Sequence, residues 1–160
     1  MRTVALDQPV PDFTASATGG ETVDSAALRG RCVVLYFYPK DATPGCTSEG
    51  RDFRDLHAAF LAAGAVVYGV SRDTLAAHEK FRAKEGFPFA LISDPDETLC
   101  RVFDVIRPKK LYGKDVIGIE RSSFLIDPDG VLRREWRKLK VEGHARAVLD
   151  ALREELAATG

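Results

Sequence analysis

The chain has 160 residues, 45% hydrophobic and 29% charged, with 23 Lys and Arg against 24 Asp and Glu for a net charge of −1. That length suits one domain over 1–160 with a substantial core, and the composition is that of a globular chain. The near-neutral balance gives no drive toward nucleic acid or an anionic membrane, and three scattered cysteines are too few for a disulfide framework.

The N-terminal stretch MRTVALDQPVPDF is broken by Asp and Pro and has no apolar signal core, and nothing further along is built to span a bilayer. The cytoplasm, where thiols stay reduced, is the expected location. RCVVLYFY reads as a buried strand, being continuously apolar with β-branched and aromatic residues. From Thr43 a helical pattern runs through Phe53, Leu56, Phe60 and Leu61 to a stop at Gly64. AVVYGVS is the next strand, followed by a helix from about Asp73 to Lys84 that ends near Gly86. FALIS is a third strand and DPDETLCRVF carries a short helix. RSSFLID and VLRREWRKLK flank the turn DPDG, and a last helix runs from His144 to about Ala157. This order predicts an α/β fold with a central mixed sheet flanked by helices on both faces. Ligands in such sheets sit beyond the carboxyl ends of the strands, where Cys46 falls.

The segment TPGC has the chemistry of a helix start. Thr43 suits the N-cap, and Pro44 suits the first helical position. Gly45 admits a close ligand, and Cys46 comes next to unpaired N–H groups that favour a thiolate. Cys32, opening a strand, and Cys100, on a helix face with Leu99 and Phe103, read instead as packing residues. His57 and His78 are expected at the surface or its boundary, and His144 as a helix cap. No His and Cys stand at metal-ligand spacing, so no metal is expected, and no phosphate-binding glycine loop is present. The basic tracts RPKKLYGK and RREWRKLK read as solvated hairpin faces.

Pro39, Thr43 and Cys46 fit the pattern P-x-x-x-T-x-x-C, with Glu49 three residues on. With GVSRD, FALISDPD, YGKDVIGIERSSFLIDPDG and WRKLKVEGHARAVLDAL, nearly the whole chain resembles the peroxiredoxin Q (bacterioferritin comigratory protein) subfamily. The resemblance implies a thioredoxin-like fold and thiol-dependent reduction of hydrogen peroxide and organic hydroperoxides in antioxidant defence, without a cofactor. It implies Cys46 as the peroxidatic nucleophile, Thr43, Arg121 and Pro39 as its catalytic companions, and Gly45 and Glu49 at the substrate. The reductant it implies is thioredoxin, glutaredoxin or glutathione, and a monomer is expected. An arginine about 4 Å from the sulfur supplies on the order of 4 kcal/mol at an effective dielectric of ~20, which favours the ionised thiol. A less basic thiolate is a poorer nucleophile, however, so most of the rate must come from donors aimed at the departing peroxide oxygen. Thr43, Arg121 and the N–H groups of Gly45 and Cys46 are the expected donors.

Two positions depart from the subfamily. Its resolving cysteine stands five residues after the first or in the next helix, where this chain has Arg51 and Arg82. Cys100 is a third possible partner, if its Cα lies within about 7 Å of that of Cys46. The expected cycle therefore uses one cysteine and an outside thiol. A thioredoxin-type disulfide reductase would need C-x-x-C, which TPGCTSE lacks. A peroxide sensor or holdase would use the same cysteine without turnover.

Overall fold

The computed structural model describes residues 4–111 and 113–159. Residues 1–3 of the N-terminal stretch, Tyr112 in the first basic tract and Gly160 lie outside that description. In chain order the strands are β1 (Thr14–Ser16), β2 (Thr22–Asp24), β3 (Cys32–Phe37), β4 (Ala65–Ser71), β5 (Leu91–Ser93), β6 (Ile106–Leu111), β7 (Lys114–Ile119), β8 (Ser122–Ile126) and β9 (Leu132–Trp136). The helices are α1 (Pro44–Ala62), α2 (Leu75–Glu85), α3 (Thr98–Val102) and α4 (His144–Thr159).

The five-stranded sheet runs β5-β4-β3-β8-β9. β3 pairs parallel with β4, and β4 with β5, because α1 and α2 carry the chain back across the sheet. β8 pairs antiparallel with β3 and β9. The DPDG turn closes β8 onto β9: Asp127 Oδ1 accepts from the N–H groups of Asp129 and Val131, and Gly130 takes φ 81°. α2 starts two residues later than its sequence pattern suggests, because Thr74 is the N-cap and its hydroxyl accepts from Ala77 N–H at 3.2 Å. Two antiparallel pairs, β1–β2 and β6–β7, are additional to the elements read from the sequence.

Alternation along β3 sends its residues into two cores. Val33, Leu35 and Phe37 join Val70, Ile92, Leu99, Cys100, Phe103 and Phe124. Cys32, Val34, Tyr36 and Tyr38 join Cys46, Phe53, Phe60, Phe81, Val148 and Leu152. Helices therefore cover both faces, with α1, α2 and α4 contributing to the second core and α3 to the first. On α1 the buried residues are Cys46, Glu49, Gly50, Phe53 and Phe60, one stripe at helical spacing. Leu61, expected on that stripe, is 52% exposed. At Gly50 an added Cβ would lie 2.4 Å from Phe87 Cζ, so only glycine lets the helix sit this low on the aromatic core.

Candidate active site

The sheet ends β3 at Phe37, and the chain turns through Pro39–Thr43 into α1. Thr43 is the N-cap and Pro44 the first helical residue, as the sequence suggests. The capping chemistry differs. Thr43 makes no side-chain bond to the helix, because its hydroxyl donates to the Lys40 carbonyl at 2.9 Å. The intrahelical ladder starts with Thr47 N–H to the Thr43 carbonyl at 2.9 Å. The N–H groups of Gly45 and Cys46 precede it and have no i−4 partner. With its proton committed to Lys40, Thr43 Oγ1 is left as an acceptor, which corrects its expected role as a donor.

Arg121 follows β7 and comes from 75 residues along the chain to donate from Nη2 to Cys46 Sγ at 3.4 Å. Gly45 leaves room for it: an added Cβ there would stand 3.1 Å from Nη2. The other guanidinium nitrogen, Nη1, donates to Glu49 Oε1 at 2.7 Å. Glu49 sits one turn after Cys46 on the same helix face and is 1% exposed. Burial pushes its carboxyl up to about 7, against the downward pull of Arg121. Its second oxygen is buried without a hydrogen-bond partner, which also favours the neutral acid. Glu49 thus orients Arg121. The arrangement is a relay: a helix-borne carboxyl holds a guanidinium, whose other nitrogen meets the sulfur.

Cys46 is 1% exposed, packed among Tyr36, Tyr38 and Phe53. Beside it, Pro39 and Arg121 line a pocket of about 430 Å³ with apolar walls from Pro108, Ile119 and Leu139 and a basic rim at Lys138. A pocket of about 460 Å³ opens elsewhere, between β1 and α3, and no cysteine lines it. His144 starts α4, but it does not cap it; its Nε2 lies 2.8 Å from Ser123 Oγ on β8. Burial, and then the charge of Arg121, push His144 down to about 4, so it stands neutral beside the site.

Cys100 is fully buried in the other core, across the sheet from Cys46. Burial, then its hydrogen bond with Asp94 and that carboxylate's charge, push its thiol far up and keep it protonated. A bridge to Cys46 would have to pass through the sheet, so Cys100 is withdrawn as a resolving cysteine. Cys32 is likewise buried, as expected of a packing residue. The two arginines at the usual resolving positions are both engaged. Arg51 Nε donates to Glu85 Oε1 at 2.6 Å, and Arg54 Nη1 donates to the Glu85 carbonyl at 2.8 Å. Arg82 donates to the Phe87 carbonyl and to Thr18 Oγ1. Glu85 is nearly buried, so this clasp fastens the early turns of α1 to the end of α2.

His78 is fully buried, not at the surface. With Asp41 and Asp73 it forms the one grouping of metal-ligating type among the described residues, and these side chains already hydrogen-bond within the protein. Among the described residues no helix is long and apolar enough to cross a membrane.

Comparison with known proteins agrees with this geometry. Residues 6–135 match the AhpC/TSA family. The chain is 55% identical over 142 residues to peroxiredoxin Bcp of Xanthomonas campestris pv. campestris, covering 89% of each. It is 47% identical over 152 residues to peroxiredoxin Bcp of Bacillus subtilis, covering 95% of this chain and 97% of that one. Among solved structures, the bacterioferritin comigratory protein of X. campestris, described for its alkyl peroxide reduction activity, superposes with a TM-score of 0.88 at 51% identity, covering 95% of this chain and 98% of that one. A Xylella fastidiosa PrxQ variant reaches a TM-score of 0.91 at 40% identity, covering 98% and 99%. A thioredoxin-like peroxidase fold, a cysteine at a helix mouth and these relatives place the chain in the AhpC/TSA family of peroxiredoxins, in its peroxiredoxin Q branch.

Proposed function

We propose that Cys46 is the peroxidatic nucleophile of this thiol peroxidase, acting on hydrogen peroxide and alkyl hydroperoxides and recycled by an external thiol in the cytoplasm. The observation that carries the assignment is the 3.4 Å contact of Arg121 Nη2 with Cys46 Sγ, held by Glu49 on the other side of the guanidinium. A hydroperoxide donates its O–H to Thr43 Oγ1, and the Cys46 thiolate attacks the oxygen that carries that hydrogen. The O–O bond breaks as the S–O bond forms. The departing alkoxide or hydroxide leaves with the bonding pair, stabilised by Arg121 and the open N–H groups, and takes a proton to become alcohol or water. Sulfur is oxidised to sulfenic acid and the peroxide oxygens are reduced.

An outside thiol ionises, its thiolate displaces hydroxide from the sulfenic sulfur to give a mixed disulfide, and the hydroxide takes the released proton to become water. A second thiolate releases Cys46 and carries away the disulfide. Arg51 and Arg82, in the places where relatives of this branch carry a resolving cysteine, and Cys100 across the sheet all support this one-cysteine cycle. Thioredoxin-type proteins or glutathione have the required thiol. Cys46→Ser tests the assignment: peroxide consumption should vanish while the fold is kept. Consumption of many equivalents of peroxide per Cys46 with thiol supplied separates an enzyme from a sensor, which would stop at about one.

A further inference from the structure

The Pro39–Thr43 loop brings Pro39 and Thr43 to Cys46 in a backbone shape that its own residues disfavour. Ala42 has φ 63°, the left-handed region where a Cβ crowds the following carbonyl, at a cost of about 1 kcal/mol or more. Something outside the loop must hold it. The neighbouring Asp41 is 8% exposed and is gripped from three directions. Tyr38 hydroxyl donates to Asp41 Oδ1 at 2.6 Å, and Asp41 N–H donates to Asp73 Oδ2 at 3.0 Å. His78 Nδ1 lies 2.6 Å from Asp41 Oδ2. Asp73 is itself fixed, since Ser71 hydroxyl donates to its carboxylate and Ser93 hydroxyl to its carbonyl.

Hydrogen counting then constrains His78. Its Nε2 lies 2.9 Å from the Ile92 carbonyl, and a carbonyl only accepts, so Nε2 carries a hydrogen. A neutral ring would then aim a bare Nδ1 lone pair at a carboxylate oxygen 2.6 Å away, with the imidazole itself fully buried. A second hydrogen must lie between them. Tyr38 hydroxyl already donates to Oδ1, and with Oδ2 accepting as well both carboxyl oxygens are used, so that hydrogen is assigned to Nδ1.

We propose that His78 and Asp41 form a buried imidazolium–carboxylate pair that positions the active-site loop, so that His78 acts on peroxide reduction through Thr43 without touching substrate. The pair links the first turn of α2 to the residue two before Thr43. Ala42, between Asp41 and Thr43, is the strained joint it holds closed. The proposal rests on Cys46 being the nucleophile. If that assignment fails, Cys46→Ser will keep its activity; if only the pair is misread, Cys46 will remain essential while the results below depart.

The decisive measurement is a double-mutant cycle on the second-order rate of Cys46 oxidation by hydrogen peroxide, read by stopped flow. His78→Leu alone should slow oxidation by about 10- to 100-fold, the scale of losing one well-placed polar contact to the reacting peroxide. In a Thr43→Val background the same change should cost less than about 3-fold, because its target is already gone. Equal losses in both backgrounds would show a merely structural residue and overturn the proposal. If His78→Leu does not fold, Asp41→Leu combined with His78→Leu strands no charge and takes its place in the cycle. The conservative change Asp41→Asn supplies a second reading. An amide donates to Nδ1 and accepts from Tyr38 without the extra hydrogen, so oxidation should stay within about 3-fold of the unaltered protein. The ¹⁵N shifts of His78 should report two protonated nitrogens in the unaltered protein and one after Asp41→Asn. A bare Nδ1 in the unaltered protein would overturn the pair.

Discussion

Replacing Glu49 by Gln should change how stability depends on pH, because Glu49 and His144 are linked to protons in opposite directions. Burial lifts Glu49 from 4.5 to about 7, so the folded chain holds a proton that the unfolded chain has released over that window. Its contribution to stability is greatest below the unfolded value and is lost as pH rises to about 7. Burial lowers His144 from 6.5 to about 4, so the folded chain refuses a proton that the unfolded chain binds. That contribution is present above 6.5 and is lost as pH falls toward about 4. Each slope is about 1.4 kcal/mol per pH unit, with opposite sign, so the two largely cancel where they overlap. Glu49→Gln keeps an oxygen for Arg121 and removes the titration. Between pH 4.5 and 6.5 its stability should therefore climb relative to the unaltered protein, by on the order of 2–3 kcal/mol. Urea unfolding of both proteins at half-unit steps measures the difference, in which all other groups drop out. Curves that stay parallel through this window would refute the reading of Glu49 as a buried acid held near neutrality.

Other expectations concern the sulfur and its recycling. Arg121→Ala and Thr43→Val should each slow Cys46 oxidation by roughly 10²-fold or more without unfolding the chain. If the losses vanished once rates were normalised to thiolate absorbance, placement of the polar groups around the peroxide would not be the source of rate. Gly45→Ala should displace the guanidinium through its 3.1 Å contact and slow oxidation by about 10-fold, with little change in thermal midpoint. Cys100→Ser should keep its turnover with a small thiol, and one equivalent of peroxide should yield a dimedone adduct on Cys46. A quantitative Cys46–Cys100 disulfide in mass spectra would contradict the separation of the two cores.

The strands that build the main sheet were legible because their signals are local: β4 is the AVVYGVS run itself, and β3 lies within RCVVLYFY. β1 and β2 are three residues each, too short for periodicity to show. β7 is largely exposed along its first half, so it lacks the alternation that marks a half-buried strand, and the lysines and proline of β6 resemble a solvated loop. Cys46, Thr43 and Pro39 lie within eight residues and could be read together. Arg121 is 75 residues from Cys46, and only the family resemblance connected them. The buried stripe of α2 is His78, Phe81 and Glu85, with two polar residues where a hydrophobic pattern expects apolar ones. Their partners, Asp41 and Arg51, are 37 and 34 residues away, beyond the reach of local reasoning.

The clasp of Arg51 and Arg54 on Glu85 bears on how the protein fails as well as how it works. In an enzyme whose first helical turns open readily, the oxidised sulfur swings away from the peroxide pocket and is protected. Here, opening those clasped turns of α1 would leave a nearly buried carboxylate without its arginine, so under the proposed assignment an oxidised Cys46 would stay beside Arg121. Thiol and second peroxide then compete for the same atom, and the loser sets the fate of the molecule: each encounter won by peroxide yields a sulfinic acid that thiols do not restore. The catalyst should therefore be efficient at low peroxide and self-extinguishing at high peroxide, with its working lifetime set by the supply of thiol.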